Sequence, residues 1–124
     1  MSEHSEQVAL FHRAALQQNV YPELKLLYAI PNGTRTTPGV AGKMKAEGVK
    51  KGVPDICLPC ARGKYIGLYI EMKAVYDSGK KNYPDPEQRE WLKALAEQGH
   101  YTTICYSAEE AWTVITAYLE GRLA

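Results

Sequence analysis

No run of apolar residues in this 124-residue chain approaches the ~20 needed to span a bilayer. The first twenty positions are broken by Glu3, His4, Glu6, His12 and Arg13, where a secretory leader needs an unbroken apolar core. A cytoplasmic protein with no membrane partner is therefore expected. Cysteine is scarce and odd in number: Cys57, Cys60 and Cys105 do not make a disulfide framework, and a reducing compartment suits them. Cys57 and Cys60 are spaced C-x-x-C, but a zinc site needs two more ligands, with only Cys105 and His100 as distant candidates. A redox pair would open a helix, whereas this one spans a strand and Pro59. Repeats and low-complexity tracts are missing as well, which excludes solenoids and flexible linkers.

Net charge is low, at +1, so nothing in the total points to a polyanionic or polycationic partner. The distribution is less even. Between Arg35 and Lys51 stand Arg35, Lys43, Lys45, Lys50 and Lys51 against Glu47 alone, a local basic stripe. Apolar residues make up 45% of the chain, ordinary for a globular protein, and the length suits one domain with one core.

The pattern along the chain predicts alternating elements. Ser5 can cap a helix to about Asn19, with Gln7, Leu10, Phe11, Ala14 and Ala15 on one face. Leu24 to Ile30, "LKLLYAI", reads as a strand, and Asn32-Gly33 as a turn. A short helix spans about Pro38 to Glu47 before Gly48. "VPDICLP" and "YIGLYIEMK" form an antiparallel hairpin around Arg62-Gly63-Lys64, and the stretch from Tyr76 to Asp85 reads as a polar loop. Asp85, Pro86 and Gln88 carry the start of a helix running to Gln98, "YTTICY" is a strand, and Ser107 with Glu110 opens a last helix from Ala108 to Leu119. Helix, strand, short helix, two strands, helix, strand, helix predicts an α/β domain with a mixed central sheet of about four strands flanked by helices.

Chemistry concentrates in "LYIEMK", Leu68 to Lys73. Side chains on a strand alternate, so Ile66, Leu68, Ile70 and Met72 face one way while Gly67, Tyr69, Glu71 and Lys73 face the other. On the preceding strand Asp55 shares the second face with Cys57, and pairing would bring Asp55 within a strand spacing of Glu71. An isolated Glu-x-Lys at a strand end is usually an exposed ion pair worth ~0–1 kcal/mol. Two carboxylates ~5 Å apart are different: they repel by roughly 3 kcal/mol at an effective dielectric of ~20. A proton, a lysine or a cation must relieve them. Oxygen ligands from Asp55, Glu71 and a nearby backbone carbonyl suit Mg²⁺ or Mn²⁺, which acidify water for attack on a phosphodiester, with Lys73 placed to orient that water or offset the added charge.

"GVPD" followed sixteen residues later by "EMK" resembles the PD-(D/E)xK nuclease signature. With "EQVALF", "AIPNG", "GVKKGVPDICLP", "PEQREWLKAL" and "SAEEAW" in order over roughly residues 3–118, the chain is similar to the VRR-NUC family, whose stand-alone phage-encoded members have this length. The resemblance implies a restriction-endonuclease-like core, Asp55, Glu71 and the Met72 backbone carbonyl as metal ligands, and Lys73 as the catalytic lysine. It also implies a catalytic first-helix glutamate, matched by Glu6, although Glu3 lies more squarely on the apolar face; both stay open. Gln88 belongs to the family pattern too. Residue spacing gives it two readings, a partner of the Asp85 cap or an inward amide on the stripe of Trp91, Leu92 and Leu95.

These expectations amount to a Mg²⁺- or Mn²⁺-dependent DNA endonuclease. By resemblance it acts on Holliday junctions or other branched DNA as a homodimer, with dimer surface on the short helix around Met44 or on the last helix. Asn32, Arg35, Lys43, Lys45, Lys50 and Lys51 are the candidate backbone-phosphate contacts. The rivals are a monomeric flap, nick or single-strand nuclease and a non-catalytic nucleic-acid-binding domain.

Overall fold

Ser2, three residues earlier than Ser5, opens the first helix. Its hydroxyl accepts the Ser5 N–H and the Ser5 hydroxyl pairs with the Ser2 N–H, so two otherwise orphaned donors are satisfied reciprocally. The computed structural model describes residues 2–31 and 37–124. In chain order these form α1 (Glu3–Leu16), a 3₁₀ turn (Pro22–Leu26), β1 (Tyr28–Ala29), α2 (Pro38–Ala46), β2 (Ile56–Leu58), β3 (Leu68–Met72), α3 (Pro86–Glu97), β4 (Tyr101–Cys105) and α4 (Ala108–Leu119). The Asn32-Gly33 turn lies outside the described residues.

"LKLLYAI" is not one strand. Pro22 at the first position starts a 3₁₀ turn, and in that geometry residues three apart eclipse, so Leu24 and Leu27 point into the core together while Leu26 stays exposed. Only Tyr28–Ala29 remains to pair as β1. In α1, Leu10 and Ala14 are buried, but Ala15 is exposed and the helix stops at Leu16.

The four strands lie in the order β1-β2-β3-β4. The first three run antiparallel, with Tyr28 opposite Cys57 and Cys57 opposite Tyr69. Strand β4 joins β3 in parallel, Met72 opposite Cys105, and α3 supplies the crossover that a parallel pair requires. The sheet therefore has two unlike faces. Ile56, Leu58, Leu68, Ile70, Met72 and Cys105 are buried with Leu10 and Ala14 of α1 and with Ala111, Trp112, Ile115 and Tyr118 of α4. Burying a Leu or Ile side chain contributes roughly 1.5–3 kcal/mol, so this face carries most of the stability. Ile66, expected on the same face, precedes the strand and is exposed.

Helix α2 differs from the others in burying none of its residues. Its start is fixed by Thr37, whose hydroxyl accepts the Val40 N–H, with Pro38 behind it. Gly52, at φ +91°, brings the following chain against α3: a Cβ there would lie 3.1 Å from both Glu87 Cβ and Trp91 Cδ1. Among the described residues no helix is long and apolar enough to cross a membrane.

Candidate active site

The second sheet face gathers the charges. The ladder between β2 and β3 ends at Ile56 opposite Ile70, and at the next residue the chain bends so that the Asp55 side chain takes over as acceptor. Asp55 Oδ2 receives the Met72 N–H at 2.7 Å, a charge-assisted bond. Pro54, next along, has no N–H to return to the Met72 carbonyl. The sequence "VPD" thus ends the pairing where the carboxylate must enter.

Glu71 is 1% exposed and Lys73 9%, on the same side of β3. Lys73 Nζ lies 3.6 Å from Glu71 Oε2. The pair is buried, not an exposed strand-end bridge, and a buried ion pair returns little net stability against its desolvation. Gln88 resolves into both of its readings at once. Its N–H and Oε1 complete the capping box with Asp85, at 2.9 Å each, while its Nε2 donates to Glu71 Oε2 at 3.1 Å. Among the described residues the buried Glu71 Oε1 has no hydrogen-bond partner.

Burial, then the neighbouring Asp55 carboxylate, pushes the Glu71 carboxyl up to about 9, against the pull of Lys73. Burial also raises Asp55, opposed by the Met72 N–H. Without a cation both shifts favour the protonated acid, Glu71 most. Glu3 is part of this field, since its charge acts on both Asp55 and Glu71. Glu6 is not: its Oε1 accepts the Ala108 N–H at 2.8 Å, so it caps α4. Glu6, the residue matched to the "EQ" of the family pattern, thus has a backbone partner in α4, and Glu3 is the first-helix acid whose charge reaches the pair.

Two carboxylates at the acid pair, one with a free buried oxygen, form a donor set for a hard divalent cation. Among the described residues no three His, Cys, Asp or Glu side chains converge tightly enough to hold an ion alone. A cation here would complete its shell with backbone oxygen and water. Cys57 and Cys105 face opposite sides of the sheet, as their partners Tyr69 and Met72 require, so they do not meet in one site.

Lys43, Lys45, Lys50 and Lys51 are exposed on α2 and the turn after it, and Gly52 leads that turn onto α3 beside Gln88. Asn32 and Arg35 lie outside the described residues. Sequence reasoning left Glu3 and Glu6 both open, and the bond from the Ala108 N–H to Glu6 carried no signal in the sequence.

A mixed four-stranded sheet, with a bent Asp on one strand and Glu-x-Lys on the next, is the core of a PD-(D/E)xK nuclease with a restriction-endonuclease-like fold. The model of the VRR-NUC domain matches residues 5–109, and the chain belongs to that family. A solved structure described as a VRR_NUC domain protein superposes with a TM-score of 0.79 at 26% identity, over 98% of this chain and 90% of the other. No curated protein matches the chain. Nucleases of this type generally use divalent metal ions and take nucleic acid as substrate.

Proposed function

We propose that this chain is a Mg²⁺- or Mn²⁺-dependent DNA endonuclease in which Asp55, Glu71 and the backbone carbonyl of Met72 hold the ion. The observation that carries the reading is Glu71 Oε1, buried, without a donor among the described residues and beside a second carboxylate. Such an oxygen costs ~1–3 kcal/mol or more unless something positive reaches it. A non-catalytic binding domain has no use for that cost.

When bound, the cation supplies Lewis-acid polarisation of the phosphodiester and a lowered pKa for the attacking water. The chain's residues set the stage around it. The Met72 N–H fixes Asp55, and since N–H and C=O of one strand residue point to the same side, the Met72 carbonyl lies toward Asp55 with no Pro54 N–H to occupy it. Gln88 holds one Glu71 oxygen and leaves the other for the ion. Lys73 orients the water and offsets charge on the scissile phosphate, and Glu3 adds an acid at the rim. Lys43, Lys45, Lys50 and Lys51 grip backbone phosphates, with Asn32 and Arg35 on the same stretch of sequence.

The finer reading is branched DNA, cut as a junction by a homodimer whose two sites match the junction's symmetry. The apolar residues of α4 belong to the core, which leaves α2, with Val40 47% exposed and Met44 half-buried, as the dimer surface. Cytoplasmic action follows from that substrate.

The test incubates purified protein with labelled four-way junction, flap, single strand and linear duplex in Mg²⁺, Mn²⁺ or EDTA, beside Lys73→Ala and Asp55→Ala. Metal-dependent cutting of the junction at paired, symmetric positions is expected, with a loss of at least ~100-fold in either variant. Binding without cutting by the wild type overturns the nuclease reading. Cutting that survives both substitutions overturns the site, and a monomer by light scattering that prefers flaps replaces the resolvase reading.

A further inference from the structure

The residues after Lys73 are polar in sequence, yet they are an ordered arm. Val75 bridges Lys81 in antiparallel fashion. The Tyr76 N–H donates to the Lys80 carbonyl at 2.8 Å, the Gly79 N–H to Tyr76 at 2.8 Å, and the Asn82 N–H to Ala74 at 3.0 Å. Gly79, at φ +84°, makes the turn, a conformation that other residues rarely adopt. The arm's base is tied to the site end of the sheet. The Lys73 N–H donates to the Cys105 carbonyl at 2.9 Å, Lys81 Nζ sits 4.7 Å over the ring of Tyr106, and buried Pro84 closes the far side.

This arm displays what a folded chain normally hides. Val75 is 39% exposed, Tyr76 51% and Tyr83 71%, with Lys80 exposed between the tyrosines. Three large apolar side chains held in water within nine residues, on backbone that is hydrogen-bonded in place, mark a contact surface. The composition selects its occupant. Planar phenol rings alternating with ammonium groups suit nucleobases and phosphates, since a ring accepts any base face while a lysine follows the backbone. Position agrees, because the arm begins one residue after Lys73 and its base is tied to the end of the sheet that holds the acid pair.

We propose that the arm of residues 74–83 is a second DNA-binding element, in which Tyr76 and Tyr83 stack on unpaired bases beside the scissile phosphate and Lys80 contacts the flanking backbone. It rests on the reading of Asp55, Glu71 and Lys73 as a DNA-cutting site, and it deepens that reading by making unpaired bases at a branch the feature selected. Continuous duplex, whose bases are already stacked on one another, gains nothing from the rings.

The test measures binding apart from cutting. Full-length protein carrying Lys73→Ala, in EDTA, is titrated by fluorescence anisotropy into four-way junction with unpaired bases at its centre, gapped duplex and uninterrupted duplex. Tyr76→Ala with Tyr83→Ala is expected to weaken junction and gapped binding about tenfold per tyrosine, with uninterrupted duplex changed less than about twofold. Tyr76→Phe with Tyr83→Phe keeps the rings and restores binding. Lys80→Ala weakens all three DNAs alike and reduces the salt slope by about 1. A 2-aminopurine at the unpaired position is quenched more by the tyrosine-bearing protein than by the alanine pair. Tyr76, Tyr83 and Lys80 are exposed and every variant shares the Lys73→Ala background, so folding is undisturbed relative to that background, which circular dichroism checks. An equal loss on all DNAs in the alanine pair, or no loss on any, overturns the proposal, and the second result leaves the arm as a protein-docking surface. A wild type that cuts no DNA sinks the nuclease reading separately, while the binding series still decides the arm.

Discussion

The two faces of β3 alternate residue by residue and obey opposite rules. Leu68, Ile70 and Met72 point into an apolar layer under α1 and α4, where every contact lowers the free energy of folding. Glu71 and Lys73, buried on the other side, raise it, because a carboxyl group and an ammonium have left water for partners that do not fully repay them. One strand thus carries stability on one face and the proposed chemistry on the other. The first supports the strain of the second, as at many functional sites.

The largest effect should come from weakening the supporting face. Ile70→Ala removes a side chain with no exposure and is expected to cost ~2–5 kcal/mol, read as a lowered denaturation midpoint, with the cut pattern of the surviving folded fraction unchanged.

The chemical face should respond to pH in the opposite sense from an ordinary salt-bridged acid. Glu71 is raised to about 9 in the folded protein, against about 4.3 in an unfolded chain. Between those values the folded state keeps a proton that the unfolded state releases. That stabilisation is complete below about pH 4.3 and is lost as pH rises through about 9. The metal-free protein should therefore melt roughly 5–10 °C lower at pH 9 than at pH 5, and Mg²⁺ should recover the difference. In Glu71→Gln the decline flattens and cutting stops. A midpoint that rises over this window in EDTA would contradict the proton retained by Glu71.

Glu3 and Glu6 sharpen the contrast within one helix. Glu6→Gln should cost about 1 kcal/mol through the weakened cap on Ala108, with cutting per folded molecule kept within about twofold. Glu3→Gln should reverse the pattern, with stability unchanged or slightly higher and cutting lower by about tenfold or more. Equal behaviour of the two variants would dissolve the distinction.

Gln88→Ala should show both effects in small measure, at about 1 kcal/mol for half a capping box together with a roughly tenfold slower cut as Glu71 loses its donor. Gln88→Glu, which can keep the cap, should show the loss of cutting alone.

Short-range chemistry made much of this readable beforehand. The β2-β3 hairpin, the facing of Glu71 with Lys73, and the starts of α3 and α4 each depend on residues a few positions apart. Leu24 to Ile30 was misread because an apolar run without alternation fits a strand as well as a 3₁₀ turn, and only Pro22 with the three-residue spacing of Leu24 and Leu27 separates them. The start of α1 was misread because Ser2 and Ser5 are both capping residues. The role of Glu6 was unreadable for a different reason: its partner, Ala108, is 102 residues away and carries no side-chain signal. The arm after Lys73 looked like a polar loop because its order comes from backbone bonds, which composition does not record.

Gln88, through its backbone N–H and its side-chain amide, joins events of very different range. Its bonds to Asp85 span three residues and can form as soon as α3 nucleates, whereas its bond to Glu71 spans seventeen and waits for the helix to meet the strand. If α3 docked one residue out of step, the same helix would form, but Glu71 would be buried with one donor fewer. The side chain that begins the helix therefore also checks its alignment, and errors in docking are rejected at the residue on which the chemistry depends.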